Sequence, residues 1–269
     1  MNIGLFDSGI GGLTVLTGLI RKFPGHNYLY FADYANLPYG SKPYEHLKKL
    51  VLNGLNKLQT DGAEIIVSAC NTGDAVLDGR IEENFSMPYY SIVKAGAKAV
   101  KDYSKIAVIT TDQTMKTGVY IKEILKLNNG AFILQKSAPL FVSLVEEGIW
   151  NGKMADAVVK YYLEDVKRWE PQVLLLGCTH YPFLQFAISS FMNDVVLLDP
   201  AEKLLEELEK VIPPSRGTSK VRFLVTGNVE KFQTLVNLVQ YHPLGNGLTN
   251  TEISVERVVI REVQQEGAL

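Results

Sequence analysis

The chain is expected to fold as an α/β protein on mostly parallel sheets, and three observations lead there. Short apolar runs alternate with segments of helical length. The runs are nearly continuous rather than alternating with polar residues, as strands covered on both faces require. The pattern also recurs, with two pairs of similar turns separated by nearly the same number of residues.

From the N-terminus, the expected strands are NIGLF (2–6), NYLYFA (27–32), AEIIVSA (63–69), PYYSIV (88–93), KIAVITT (105–111), FILQKS (132–137), VLLLG (173–177), VVLLD (195–199) and VRFLVTG (221–227). Amphipathic segments fill most of the gaps. LTVLTGLIRKF follows the first strand, YEHLKKLVLNGLNKLQTDG precedes the third, DAVVKYYLEDVKRW the seventh and PAEKLLEELEKVI the last. In such folds a ligand sits beyond the carboxyl ends of the strands, so residues that directly follow a strand are the candidates for chemistry.

IGLFDSGIGG (3–12) and IAVITTDQTM (106–115) both read as strand, polar turn, helix, and lie 103 positions apart. The two cysteines, in IIVSACNT (65–72) and LLLGCTHY (174–181), lie 108 positions apart. Two pairs at nearly one spacing predict two similar halves. Facing each other, the halves would place one cysteine on each wall of a cleft.

The 269 residues allow one large or two medium domains, and 46% hydrophobic with 21% charged residues is an ordinary globular balance. A formal net charge of −2 gives no sign of a nucleic-acid or anionic-membrane partner, and neither is expected. The start, MNIGLFDSG, lacks the basic and apolar regions of a signal peptide, and no apolar stretch approaches the roughly 20 residues that span a bilayer. A cytoplasmic protein is expected, with no added segment before the first strand. Two cysteines do not make a disulfide framework, and a closed zinc site would need several more donors. No metal is expected.

Each cysteine follows a strand and precedes a turn of polar residues suited to capping, where a helix N-terminus would favour the thiolate. A lone cysteine there reads as a buried structural residue. Two at matched addresses read as a working pair. DSGIGG (7–12) lacks the Lys-Ser/Thr of a P-loop and the spacing of a dinucleotide fingerprint. It is either a capped turn or a cleft mouth where Asp7 and backbone N–H groups meet a ligand. Tyr39, in LPYGSK, could line a pocket. His180 stands two residues after Cys178 and can serve as its acid–base partner. Glu146, in LVEEG, reads by default as a surface helix end stopped by Gly148.

Together these residues resemble the bacterial glutamate racemases of the cofactor-independent aspartate/glutamate racemase superfamily. The resemblance runs from IGLFDSGIGGLTV through YFADYANLPYGSK, SACNTGDAV, APLFVSLVEEG and LGCTHYPFL to LLDPAEKL and VTGNVEKF. It implies two doubly wound α/β domains related by a pseudo-twofold axis, with the active site in the cleft between them. The first would comprise 1–95 plus 207–269, the second 96–206. It implies interconversion of L- and D-glutamate without a cofactor, D-glutamate feeding peptidoglycan synthesis, and a homodimer. Carried over by motif, Cys70 and Cys178 are the acid–base pair, with Asp7 assisting Cys70, and His180 and Glu146 assisting Cys178. Ser8, Pro38, Tyr39, Gly40, Asn71, Thr72, Thr114 and Thr179 would hold the substrate.

The chemistry suits the residues. Racemisation needs a base on one face of the α-carbon and an acid on the other, and thiols lie close enough to neutrality to be either. Two departures from the family pattern stand out. Gly73-Asp74 replaces small residues after the first cysteine and adds a negative charge near an anionic substrate. Lys94 stands where proline is common. Other readings are a racemase of the same superfamily for aspartate or another amino acid, a catalytically weak binding or regulatory protein, and a thiol–disulfide protein. The last would normally show a C-x-x-C motif, which neither cysteine has.

Overall fold

The computed structural model describes residues 1–77 and 87–260, so the end of the first expected domain, 261–269, lies outside the described residues. Its strands form two all-parallel sheets. The first contains β1 (Asn2–Asp7), β2 (Asn27–Ala32), β3 (Ile65–Ser68), β4 (Tyr89–Ser91), β9 (Lys220–Val225) and β10 (Glu252–Arg257), in the order β10-β9-β2-β1-β3-β4. The second contains β5 (Lys105–Thr110), β6 (Phe132–Ser137), β7 (Val173–Gly177) and β8 (Val196–Leu198), in the order β6-β5-β7-β8.

The two orders reveal the internal repeat. β2-β1-β3-β4 and β6-β5-β7-β8 share one topology, with β9 and β10 added outside β2. Register then fixes where the motifs emerge. Phe6 pairs with Ser68, and Asp7 with Ala32, so Ser8 and Cys70 leave the first sheet at one edge. Thr110 pairs with both Ser137 and Gly177, so Thr111 and Cys178 leave the second sheet at its corresponding edge.

All expected strands form, several of them shortened at their ends. β10 was not expected. Its sequence, EISVER, is polar at alternate positions and half-buried to exposed along its length, so it lacks the continuous apolar run of the central strands. Strands β3 and β7 are buried at every position because helices cover both faces.

Helices α1 (Leu13–Lys22) and α2 (Tyr44–Thr60) follow the first two strands. From Leu13 to Ile20 every residue of α1 is buried, and its two charged residues, Arg21 and Lys22, stand in the last turn. A short α3 (Asn71–Ala75) follows β3, and α4 (Ile92–Ala99) carries the chain from the first sheet to the second. The second unit adds α5 (Asp112–Thr117), α6 (Val119–Leu127), α7 (Pro139–Glu146), α8 (Lys153–Arg168), α9 (Gln185–Phe191) and α10 (Pro200–Leu208). The last helix, α11 (Val229–Val239), lies between β9 and β10 in sequence. Helix α10 packs on α4 and α1, and α4 on α6, which joins the two units behind the site. Among the described residues no helix is long and apolar enough to cross a membrane.

Candidate active site

The wall nearest the first sheet begins with Asp7 at the end of β1, then Ser8, with Cys70 two residues beyond β3. Cys70 caps α3, its Sγ accepting the Gly73 N–H at 3.3 Å, while its thiol donates to Ser8 Oγ at 3.6 Å. Asp7 Oδ1 accepts the Gly9 N–H at 2.9 Å, which tightens the turn.

The opposite wall is built from the residues after β5 and β7. Cys178 Sγ lies 3.7 Å from His180 Nδ1, and His180 Nε2 lies 2.7 Å from Glu146 Oε1. Glu146 is the last residue of α7, so the default reading of a surface helix end is overturned. It is only 9% exposed, and its carboxylate turns inward to histidine.

Contacts between the walls close the cleft. Thr179 Oγ1 donates to Asp7 Oδ2 at 3.0 Å, and the Ile10 N–H donates to Glu146 Oε1 at 3.3 Å. The hydroxyls of Thr72, Thr111 and Thr114 form a triangle with edges of 2.9, 3.0 and 3.2 Å. Tyr120 of α6 donates to Asn71 Oδ1. A narrow cavity of about 10 Å³ remains, lined by Ser8, Leu37, Tyr39, Gly40, Cys70, Asn71, Thr72, Thr111, Val142, Cys178, Thr179 and His180.

The walls approach so closely that some backbone positions have no space for a side chain. A Cβ on Gly9 would stand 2.5 Å from Glu146 Oε1, and one on Gly11 would collide with Thr179 Oγ1 and His180. This close approach accounts for Gly9 and Gly11 of DSGIGG, while a Cβ on Gly12 would meet Tyr30 and Asp7 of its own wall.

The electrostatics of the two thiols differ. Burial pushes the Cys70 thiol up, the Asp7 carboxylate pushes it further, and the Gly73 N–H opposes only in part. The expectation that a helix N-terminus would favour the thiolate is therefore not met at Cys70. Burial opposes charge on His180, but its hydrogen bonds to Cys178 and Glu146 outweigh that and hold it well above the usual histidine range. Burial likewise raises Asp7, against the attraction of His180 and the Gly9 and Thr179 hydrogen bonds.

Most of the expected residues converge here. Cys70, Cys178, His180, Ser8, Tyr39, Gly40, Asn71, Thr72 and Thr179 line the cavity, while Asp7 and Glu146 stand directly behind that lining. Thr114 does not line it. Thr114 supports Thr72 and Thr111 from behind, and Thr111 takes the place at the cavity. Pro38 is also outside the lining, where its neighbour Leu37 stands. Thr111 was missed, although the repeat marked it. At the spacing of 103 positions it is the counterpart of Ser8.

Neither departure reaches the cavity. Asp74 is turned away and half-buried, accepting the Tyr89 hydroxyl at 2.8 Å, the Val93 N–H at 2.9 Å and the Ser91 hydroxyl. It thereby ties α3 to the start of α4. Lys94 donates its N–H to the Ser91 cap at 3.0 Å, a bond proline could not make. Among the described residues no group of three or more His, Cys, Asp or Glu side chains is arranged to hold a metal ion.

The family model for Asp/Glu/Hydantoin racemase matches residues 19–208. A glutamate racemase of Thermus thermophilus is 37% identical over 238 residues, covering 87% of this chain and 90% of the relative. A crystal structure of glutamate racemase from that organism, in complex with β-chloro-D-alanine, superposes with a TM-score of 0.84 at 36% identity, covering 97% of this chain and 98% of the other. That of Francisella tularensis glutamate racemase in complex with D-glutamate superposes with a TM-score of 0.87 at 30% identity, covering 96% and 97%.

Proposed function

The chain belongs to the Asp/Glu/Hydantoin racemase family, and from that premise we propose that this amino-acid racemase interconverts L- and D-glutamate with one thiol on each face of the α-carbon. The observation that carries the reading is the pair of cysteines, which leave matching strands of two sheets and line one cavity.

In one direction Cys178, as thiolate beside protonated His180, removes the α-proton. Cys70 then donates its thiol proton to the opposite face, leaving Cys70 as thiolate and Cys178 as thiol. The reverse reaction exchanges the roles. Glu146 holds His180 in place and favours its charged form. Asp7 lies beside Cys70, where its charge makes the thiolate a stronger base. The hydroxyl and amide groups of Ser8, Asn71, Thr72, Thr111 and Thr179 offer donors to the substrate carboxylates. Tyr39 and Gly40 complete that wall, Pro38 shapes the loop that carries them, and Thr114 supports the threonine cluster. The closed cleft keeps stray protons of water away from the carbanion-like carbon.

We read the domains as 1–95 plus 207–269 and 96–206. The family's biology supports cytoplasmic action, D-glutamate supply for peptidoglycan and assembly as a homodimer. The test is deuterium exchange at the α-carbon in D₂O, followed by NMR, with L-glutamate and L-aspartate in separate tubes. Deuterium entering glutamate with D-glutamate accumulating is the expected result. Exchange with aspartate alone would change the substrate and keep the chemistry.

A further inference from the structure

The relay behind Cys178 is assembled from both units. Cys178, His180 and Glu146 belong to the second, but the Ile10 N–H that donates to Glu146 Oε1 at 3.3 Å comes from the first. Oε1 thus serves His180 and Ile10 together. The other oxygen, Oε2, is buried and has no hydrogen-bond partner among the described residues. A buried carboxylate oxygen left without a donor is costly, and next to a catalytic histidine it points to a group that engages it. Tyr34 lies near the Glu146 carboxylate. This residue follows β2 in the first unit, is half-buried with its ring edge-on to Phe232 at 5.7 Å, and presents its phenol to Glu146.

We propose that Tyr34 is a positioning residue for the racemase, its hydroxyl donating to Glu146 Oε2 and so completing the Cys178–His180–Glu146 relay from the opposite unit. The inference rests on the racemase reading. With Ile10 on one oxygen and Tyr34 on the other, the carboxylate is fixed in the orientation that directs His180 at Cys178. Both donors arrive from across the cleft, so the relay is complete only when the two units are together. An open cleft would leave Glu146 free to turn and Cys178 without an aligned partner. No bond is made or broken at Tyr34.

The charged or titratable groups facing His180 are Cys178 from its own loop, Glu146 from α7 and Asp7 from β1. Removing the Tyr34 hydroxyl concentrates the Glu146 charge on the bond to His180. The imidazole should then hold its proton to higher pH. The experiment is a titration of the His180 ring nitrogens by ¹⁵N NMR in the whole protein, comparing wild type, Tyr34→Phe, Glu146→Gln and the double variant. Phenylalanine preserves the ring contact with Phe232. The expected results are an upward shift of the His180 midpoint in Tyr34→Phe and no further shift when Tyr34→Phe is added to Glu146→Gln. In parallel, kcat should fall about five- to tenfold with KM changed less than about twofold, since a merely local packing defect would not divide the effect this way. An unmoved His180 midpoint in Tyr34→Phe, or an equal shift in the Glu146→Gln background, overturns the proposal. The NMR readout needs no turnover, so its failure is distinct from failure of the racemase reading, which the exchange experiment reports.

Discussion

Cys70 and Cys178 occupy the same address in two copies of one topology, yet their surroundings are opposites. Cys70 has a hydroxyl, a backbone N–H and an anionic neighbour in Asp7, and burial holds it as the thiol. Cys178 has an imidazole at 3.7 Å that is itself anchored to a carboxylate at 2.7 Å. The fold supplies the symmetry that places a sulfur on each wall. The side chains around each sulfur break that symmetry, so the resting site favours a proton on Cys70 and a protonated imidazole beside Cys178. A racemase must work in both directions, and the asymmetry implies that the two directions use differently built half-sites.

The severest way to break this comparison is to remove one sulfur. Cys70→Ser or Cys178→Ser should each lower racemisation by roughly 10²–10⁴-fold, because one face of the substrate loses its proton carrier. Each variant should still eliminate from a substrate analogue in a single direction, with opposite enantiomer preference between the two. Equal preference in both variants would show that the thiols do not serve separate faces.

Replacing His180 tests the difference between the walls. His180→Asn should slow turnover by roughly 10²-fold and change its pH profile. It also has a signature in stability. The folded-state pKa of His180 lies above its unfolded value of about 6.5, so its contribution is fully present below that pH and lost as pH rises through the folded value. Urea unfolding should show the gap between wild type and variant widest at mildly acidic pH and closing toward alkaline pH. A gap that widens with rising pH would contradict the assigned charge state.

The smallest effect is expected behind Cys70. Asp74→Asn keeps an acceptor for the start of α4 and faces away from the cavity, so KM for glutamate should change less than about twofold. A large fall in KM would mean that the Asp74 charge reaches the substrate after all.

Much of this was legible in the residues. Apolar runs marked the central strands, and the nearly equal spacing of the two motif pairs anticipated matching sheets. What escaped shares one cause. EISVER pairs as an edge strand through backbone bonds that its exposed side chains do not advertise. Glu146 and His180 are 34 positions apart in sequence; the resemblance put both beside Cys178, but no local pattern did, and the packing of α7 beside the β7 turn brings them together. Thr111 could have been found by applying the repeat to Ser8, whereas the neighbourhood of Tyr34 and Glu146 exists only once the units meet. Local pattern reveals elements; contacts between units have no local pattern.

The bare backbone at Gly9 and Gly11 has a consequence for how this chain can change. A side chain at Gly9 would push into Glu146, and one at Gly11 into Thr179 and His180. Random substitutions at those two codons should therefore be purged from any population that depends on the enzyme. An inhibitor that gripped the peptide groups of that turn would leave its target few routes of escape.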